Sequence, residues 1–261
     1  MRRHRPPALV VAVGALAIAF FALPLVGLFQ RARWSTLSDD LTTTAALDAL
    51  RLSVLCALAA AALSVLFGTP LAWLLARAQW PGRRVVRALV LLPMVLPPVV
   101  GGVALLAAFS LGSPIGGWLH DALDIQLTFS PAGVVMAQTF VAMPFYVITL
   151  EAALGSVDTR YEDAAASLGA GPLTVFRRVT LPLVAGSVAA GTVLAFARAL
   201  GEFGATITFA GNIAGRTQTL PLDVYLALET DPHAAIALSF VLVAVSLAAL
   251  VALRERWLIR T

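Results

Sequence analysis

Lysine is absent from this sequence, so all 18 of its basic residues are arginines. A P-loop needs a lysine that reaches the β- and γ-phosphates of a bound nucleotide, and this chain cannot supply one. Charged residues make up 12% of the chain, about half the share found in soluble domains. The composition therefore excludes a P-loop site within this chain and a soluble globular domain.

Histidine and cysteine are also scarce. The three histidines, His4, His120 and His233, are far apart and lack the spacing of metal ligands. The one cysteine, Cys56, lies in an apolar segment, where packing is its ordinary role. The sequence accordingly predicts no catalytic residue, no metal site and no cofactor bound by this chain.

Long apolar runs dominate what is present. The chain is 60% hydrophobic, and its mean hydropathy is +0.91. A helix of roughly 20 apolar residues crosses the hydrocarbon core of a bilayer and satisfies its own backbone there. We predict an all-α, polytopic membrane protein that forms a single domain over residues 1–261. Its six transmembrane helices are expected at about 8–29, 52–76, 88–110, 131–153, 183–210 and 235–253.

The first apolar run has two interpretations, a cleaved signal peptide or a retained helix. Its basic start suits a signal peptide, but the run is longer than the usual core of about 7–15 residues. The residues from Gln30 to Arg33 are also a poor cleavage context. These features favour a retained first helix.

Arginines are concentrated on one side of the predicted spans. Three precede the first span, four follow the second, three follow the fourth and three lie in the tail. Cytoplasmic loops retain positive residues, so we expect both termini and residues 155–182 in the cytoplasm. The other side carries four arginines, and Arg198 lies within a span. The sequence pI of about 10.2 then reflects membrane orientation and does not indicate a nucleic-acid partner.

One polar segment, YEDAAASLGAGPLTVFRRVTLPL, interrupts the apolar runs between the fourth and fifth spans. Asp158 is a plausible N-cap for a helix from Thr159 to Leu168, whose positive end would favour the acids Glu162 and Asp163. Three alanines follow them and leave part of this helix nearly bare. The pattern suits contact with another protein, although a solvated loop on the membrane surface is an alternative.

Glycine and proline divide this segment into two helices. Gly169 and Gly171 are expected to end the first helix, and Pro172 suits the first position of the second. Pro182 then opens the next span.

This segment resembles the EAA-loop signature of ABC importer permeases, in which Glu-Ala-Ala is followed by Gly and later by Leu-Pro. Asp163 is a departure, because it separates the glutamate from the alanines. The resemblance implies a coupling helix within residues 155–182 that docks on a separate ATP-hydrolysing subunit, which binds ATP and Mg²⁺. The matching residues are Glu162, Ala164, Ala165, Gly169, Leu181 and Pro182, and the expected docking residues are Glu162, Asp163, Ala164, Ala165 and Gly169.

A second segment, FARALGEFGATITFAGNIAGRTQTLPLDVYLALE, resembles the equivalent part of molybdate permeases. Sulfate/thiosulfate permeases share the Arg-x-x-Gly-Glu core and the later Gly-Asn, whereas GRTQTLPL is closer to the molybdate group. Asp223 stands where a small or apolar residue is expected. The resemblance covers about residues 52–253.

What this resemblance implies is a type I ABC importer permease in the bacterial cytoplasmic membrane. Such a permease is a homodimer that assembles with two ATP-binding cassette subunits and an external molybdate-binding protein. Import of sulfate, thiosulfate or tungstate is the near alternative, and a passive channel or membrane enzyme is the distant one.

Two irregular features lie within predicted spans and are candidates for the pore or gate. Arg198 and Glu202 share a helix face, and intramembrane charges usually face a bundle interior or a watery cavity. They form either a structural pair or part of the anion path, and Gly201 and Gly204 beside them would allow close helix approach.

The other irregular feature is a group of prolines in the third span. Pro93, Pro97 and Pro98 remove backbone donors and bend or break a helix. In the permease family the equivalent region contributes to the pore and gate. A simple packing kink is the alternative.

Overall fold

The computed structural model describes residues 7–258, and the side chains of residues 7–251. The predicted cytoplasmic arginines at positions 2, 3, 5, 254, 256 and 260 therefore lie outside the described side chains. All regular structure in the described part of the chain is helical, as predicted. The first seven helices are α1 (Ala8–Arg31), α2 (Leu37–Leu41), α3 (Thr44–Arg77), α4 (Arg83–Val95), α5 (Pro98–Phe109), α6 (Pro114–Leu123) and α7 (Pro131–Ser156).

The second half of the chain contains shorter elements. A π-helical turn, Phe176–Thr180, lies between two of them. The helices are α8 (Arg160–Ser167), α9 (Pro172–Val175), α10 (Leu181–Leu183), α11 (Ala185–Leu200), α12 (Gly204–Phe209), α13 (Leu220–Thr230) and α14 (Pro232–Leu258).

Among the described residues, four helices, α1, α3, α7 and α14, are long and apolar enough to cross a membrane unbroken. Two further pairs reach that length only as bent units. The helix α5 meets α6 at 57°, and the segment Pro172–Leu183 meets α11 at 73°. Six spans result when each bent pair is taken as one span.

The predicted third and fifth spans are not continuous helices. Backbone at Leu96 and Pro97 is extended, which separates α4 from α5 within the predicted 88–110 span. Residues 201–203 likewise separate α11 from α12 within the predicted 183–210 span. An apolar run predicts that a segment enters the membrane, but it does not show where the helix inside it breaks.

The core of the molecule is formed by α3, α7 and α11. Tyr146 on α7 is fully buried between Gly68 of α3 and Gly191 of α11. Its hydroxyl hydrogen-bonds to that of Thr69 at 2.6 Å. Small residues allow the backbones of membrane helices to come close, and here they make room for an aromatic ring.

A smaller cluster joins the start of α3 to α13 and α14. Leu220 and Leu238 pack there against Ala46 and Ala49. The backbone N–H of Leu220 donates to the Ser53 hydroxyl at 2.6 Å. In contrast, α1 has no buried residue.

Candidate coupling and gate regions

The predicted coupling helix is present as α8, one residue shorter at each end than predicted. The Asp158 carboxylate accepts a hydrogen bond from the Arg160 backbone N–H at 3.0 Å. The N-cap position, however, is occupied by Thr159, which makes no side-chain cap. The assignment of Asp158 as the N-cap was therefore wrong by one residue, because its side chain forms a turn with the residue two positions ahead.

The glycine stop after α8 is confirmed at Gly169. Its φ is +86°, in the left-handed region that glycine adopts without a Cβ penalty. Its N–H donates to the Ala166 carbonyl at 2.9 Å, and the Ala170 N–H donates to that of Ala165 at 3.1 Å. Gly171 does not share this role, since its φ is −68° and it precedes Pro172, the first residue of α9 as predicted.

Apolar side chains on α8 and just after it are exposed. Leu168 is 90% exposed, and Tyr161 and Leu173 are also exposed. Asp163 and Ala164 lie on the exposed side of α8, whereas Ala165 is half-buried. Exposed apolar patches mark surfaces that contact another protein or a membrane.

Glu162, in contrast, is turned towards the rest of the chain. Its Oε1 atom accepts hydrogen bonds from Arg77 Nη2 at 3.2 Å and from Thr180 Oγ1 at 2.9 Å. Arg77 also donates to the Val157 carbonyl at 3.1 Å. The Arg77 and Glu162 side chains are only 14% and 18% exposed. The structure thus places one predicted docking residue in an internal ion pair.

A second ion pair lies at the same end of the bundle. Arg87 of α4 pairs with Glu151 of α7 and also donates to the Leu75 carbonyl of α3 at 3.4 Å. This arginine therefore joins three helices. Sequence analysis missed both ion pairs, because the partners lie 85 and 64 positions apart and no local spacing connects them.

The proline-rich segment forms a true break. Pro93 remains within α4, while Pro97 takes the N-cap position of α5 and Pro98 its first helical position. Proline suits that first position because its missing N–H would have had no helical partner. Both Pro97 and Pro98 are exposed in this chain.

Glycines bring the start of α5 against α12. A Cβ on Gly204 would lie 2.8 Å from Pro98 Cβ, and one on Gly102 would lie 2.6 Å from Thr208 Cβ. Neither position can accept a side chain without a shift of its neighbour. The close approach predicted at Gly204 is confirmed. At Gly201 it was wrong, because this residue is exposed and a Cβ would lie 3.7 Å from the Ala197 carbonyl.

The predicted pair of intramembrane charges is formed. Arg198 Nη2 lies 2.6 Å from Glu202 Oε2, and the Glu202 side chain is 1% exposed. Glu202 Oε1 also accepts from the Ala205 N–H at 2.9 Å, which satisfies a free donor at the start of α12. Glu202 therefore has two structural partners, one on each side of the break.

Three further buried polar side chains were missed. Gln138 of α7, Thr206 of α12 and Thr219, which precedes α13, are fully buried, and their side-chain polar atoms lack hydrogen-bond partners among the described residues. In the sequence they have no charge partner at a local spacing that would single them out.

Comparison with known proteins identifies the family. Residues 68–260 match the family described as "Binding-protein-dependent transport system inner membrane component". The chain belongs to this family. The resemblance to importer permeases drawn from the two sequence segments is confirmed.

Individual relatives define the group more closely. The molybdenum transport system permease protein ModB of Mycobacterium tuberculosis is 52% identical, over 88% of this permease and 86% of the relative. The sulfate transport system permease protein CysT of Salmonella typhimurium is 38% identical, over 86% and 82% respectively.

A solved structure supports the fold. The crystal structure of a bacterial ABC transporter involved in the import of the acidic polysaccharide alginate includes a similar chain. The superposition covers 95% of this chain and 95% of that chain, with a TM-score of 0.71 and 19% sequence identity. The permease therefore has the type I ABC importer permease fold.

Proposed function

We propose that this permease is the transmembrane subunit of an ABC importer that passes molybdate across the bacterial cytoplasmic membrane. The observation that carries the proposal is its 52% identity to a molybdenum permease over most of both chains, compared with 38% to a sulfate permease. The segment from Gly215 to Leu222, which is closer to the molybdate group, supports the same choice.

The partners follow from the chemistry of the cytoplasmic loop. The chain has no lysine for a P-loop, so ATP and Mg²⁺ would bind on two separate ATPase subunits. The exposed side chains of Tyr161, Leu168 and Leu173, next to the bare alanine side of α8, offer a surface on which such a subunit can dock. We place the coupling helix there, with Asp163, Ala164, Ala165 and Gly169 forming or shaping the contact.

The permease would work as a homodimer that receives molybdate from an external binding protein. A pore that only passes an anion needs weak sites that allow release as well as entry. Pro97, Pro98, Arg198, Gly201 and Glu202 are the pore or gate candidates. Since Arg198 is already neutralised by Glu202, a structural role for this pair is favoured over direct anion contact.

Transport by the complete importer tests the substrate. The permease, its ATPase subunits and its binding protein would be reconstituted in proteoliposomes, and molybdate uptake measured with ATP or a non-hydrolysable analogue. We expect ATP-dependent molybdate uptake that excess sulfate does not inhibit. Sulfate uptake at the same rate as molybdate uptake would favour the sulfate alternative. Inhibition of molybdate uptake by tungstate would favour the tungstate alternative. Uptake without the ATPase would indicate a passive channel.

Membrane orientation is tested separately. Reporter fusions should place residues 155–182 and the C-terminus in the cytoplasm, and residues 111–130 outside. An external position for residues 155–182 would contradict ATPase docking on α8.

A further inference from the structure

We infer that Glu162 is a positioning residue that anchors the coupling helix to α3, and that Arg87 extends this connection to α4 and the proline break. This inference rests on the proposed docking of α8 on an ATPase subunit. It assigns Glu162 to transmission of movement within the permease, and leaves contact with the ATPase to the exposed side of α8.

The surroundings of Glu162 support an internal role. One carboxylate oxygen receives two donors, Arg77 and Thr180, and Thr180 is itself buried. A partner subunit could bind this oxygen only by displacing the Arg77 guanidinium, which neutralises its charge, or the Thr180 hydroxyl. The neighbouring Asp163 is exposed, so the two adjacent acids face different surroundings.

Arg77 is suited to carry movement because of its position. It is the last residue of α3, and it holds both Glu162 of α8 and the Val157 carbonyl that precedes α8. The loop is therefore held at two points by one side chain. The helix α3 packs along α7 and α11, so displacement of α8 acts directly on the core of the bundle.

Arg87 continues the connection. It donates to the Leu75 carbonyl in the last turn of α3 and pairs with Glu151 of α7. Arg87 belongs to α4, the helix that ends at the Leu96–Pro97 break. Beyond this break Pro98 lies against Gly204, next to Glu202. Side-chain contacts thus connect the coupling helix to α4, and the chain itself continues through the Leu96–Pro97 break to the gate candidates.

Physical networks of this kind carry coupling between distant sites only when their members act on the same equilibrium. Mutations along such networks change coupling by about 0.5–2 kcal/mol, or roughly 2- to 30-fold. The informative measurement is the number of molybdate ions imported per ATP hydrolysed. A residue that only stabilises the fold would change the amount of assembled complex and leave this ratio unchanged.

The experiment uses the complete importer in proteoliposomes with Glu162→Ala, Arg77→Met and the exchanged pair Glu162→Arg/Arg77→Glu. We expect both single variants to co-purify with the ATPase and to lower molybdate import per ATP by about 2- to 30-fold. The exchanged pair should recover part of the loss, because it restores opposite charges at the same two positions. Arg87→Met should lower the ratio as well. Arg84→Met is the matched control, since Arg84 is exposed on the same helix and should leave the ratio unchanged.

Several results would overturn the inference. Loss of the ATPase from Glu162→Ala but not from Arg77→Met would make Glu162 a direct docking residue. An unchanged import ratio in assembled Glu162→Ala would exclude an anchoring role. If Glu162→Ala fails to assemble, the import of molybdate per ATP is measured for Glu162→Gln, which keeps an acceptor oxygen but lacks the charge. An unchanged ratio in that variant would likewise exclude the anchoring role of the charge. Failure of the unaltered permease to bind an ATPase would instead refute the proposed function.

Discussion

Replacement of Gly68 by alanine would test the packing of the central helices. The added Cβ would lie 2.7 Å from Tyr146 Cδ1 and 3.2 Å from Val147 Cγ2. Tyr146 cannot move away easily, because Gly191 lies against the opposite edge of its ring and Thr69 holds its hydroxyl. Insertion of one methyl group into a packed core costs about 1–3 kcal/mol.

We expect purified Gly68→Ala to have a clearly lower apparent melting temperature in detergent. Gly155→Ala is the matched control, because nothing lies within 4 Å of a Cβ at this helical position. There alanine should be neutral or stabilise by up to about 1 kcal/mol, as it does in helices generally.

A second substitution makes the test specific. Tyr146→Leu removes the ring edge that a Cβ on Gly68 would meet, so the double variant should lose less than the sum of the single losses. Equal melting temperatures for Gly68→Ala and Gly155→Ala would refute the packing argument.

Three further predictions concern the charges and the glycine stop. Arg198→Ala should destabilise the permease by about 3 kcal/mol, since it leaves the buried Glu202 charge unpaired. The double variant Arg198→Met/Glu202→Gln should lose less stability in a thermal assay. If both variants assemble normally and lose uptake to the same extent, the result would favour anion contact by Arg198. Burial favours the protonated carboxyl of Asp223 and so raises its pKa in the folded permease. The stability that this protonated group gives the fold is fully present below the ordinary pKa of 3.8, and it is lost as pH rises through the raised pKa. Asp223→Asn should therefore have a higher melting temperature than the unaltered permease at pH 7, and its melting temperature should fall less between pH 4 and pH 7. A lower melting temperature for the variant at pH 7 would contradict this. Gly169→Pro should abolish uptake without affecting membrane insertion, because proline cannot adopt φ +86°. Gly169→Asn should retain uptake, since asparagine tolerates the left-handed region. Full uptake by the proline variant would contradict a coupling role for this segment.

Local patterns predicted the features that depend on neighbouring residues. The apolar runs predicted where the long helices lie, and the spacing of Gly169 and Pro172 predicted the left-handed stop and the start of α9. The i, i+4 spacing of Arg198 and Glu202 likewise predicted a pair that is present. In each case the relevant atoms lie within a few residues of one another.

The remaining features depend on contacts between distant parts of the chain. The inward orientation of Glu162 requires Arg77, which lies 85 positions away. The choice between Gly201 and Gly204 as the site of close approach depends on where Pro98 lies, which no spacing within the segment reveals. The three prolines predicted a bend or break in the third span but not its position, because Pro93 lies within α4 and the helix ends before Pro97.

The contact between α5 and α12 brings the two groups of gate candidates close to each other. Gly102 lies against the backbone of Ala205, and Gly204 lies against the backbone of Val99. A Cβ at either glycine would meet both side-chain and backbone atoms of the other helix, so the two helices pack closely at these positions. The backbone leaves the helical conformation at Leu96–Pro97 and at residues 201–203, so these two breaks are where the pair joins α4 and α11. Glu202 sits in the second break and bonds to both sides of it, which places the buried ion pair at the connection between the packed core and the paired short helices.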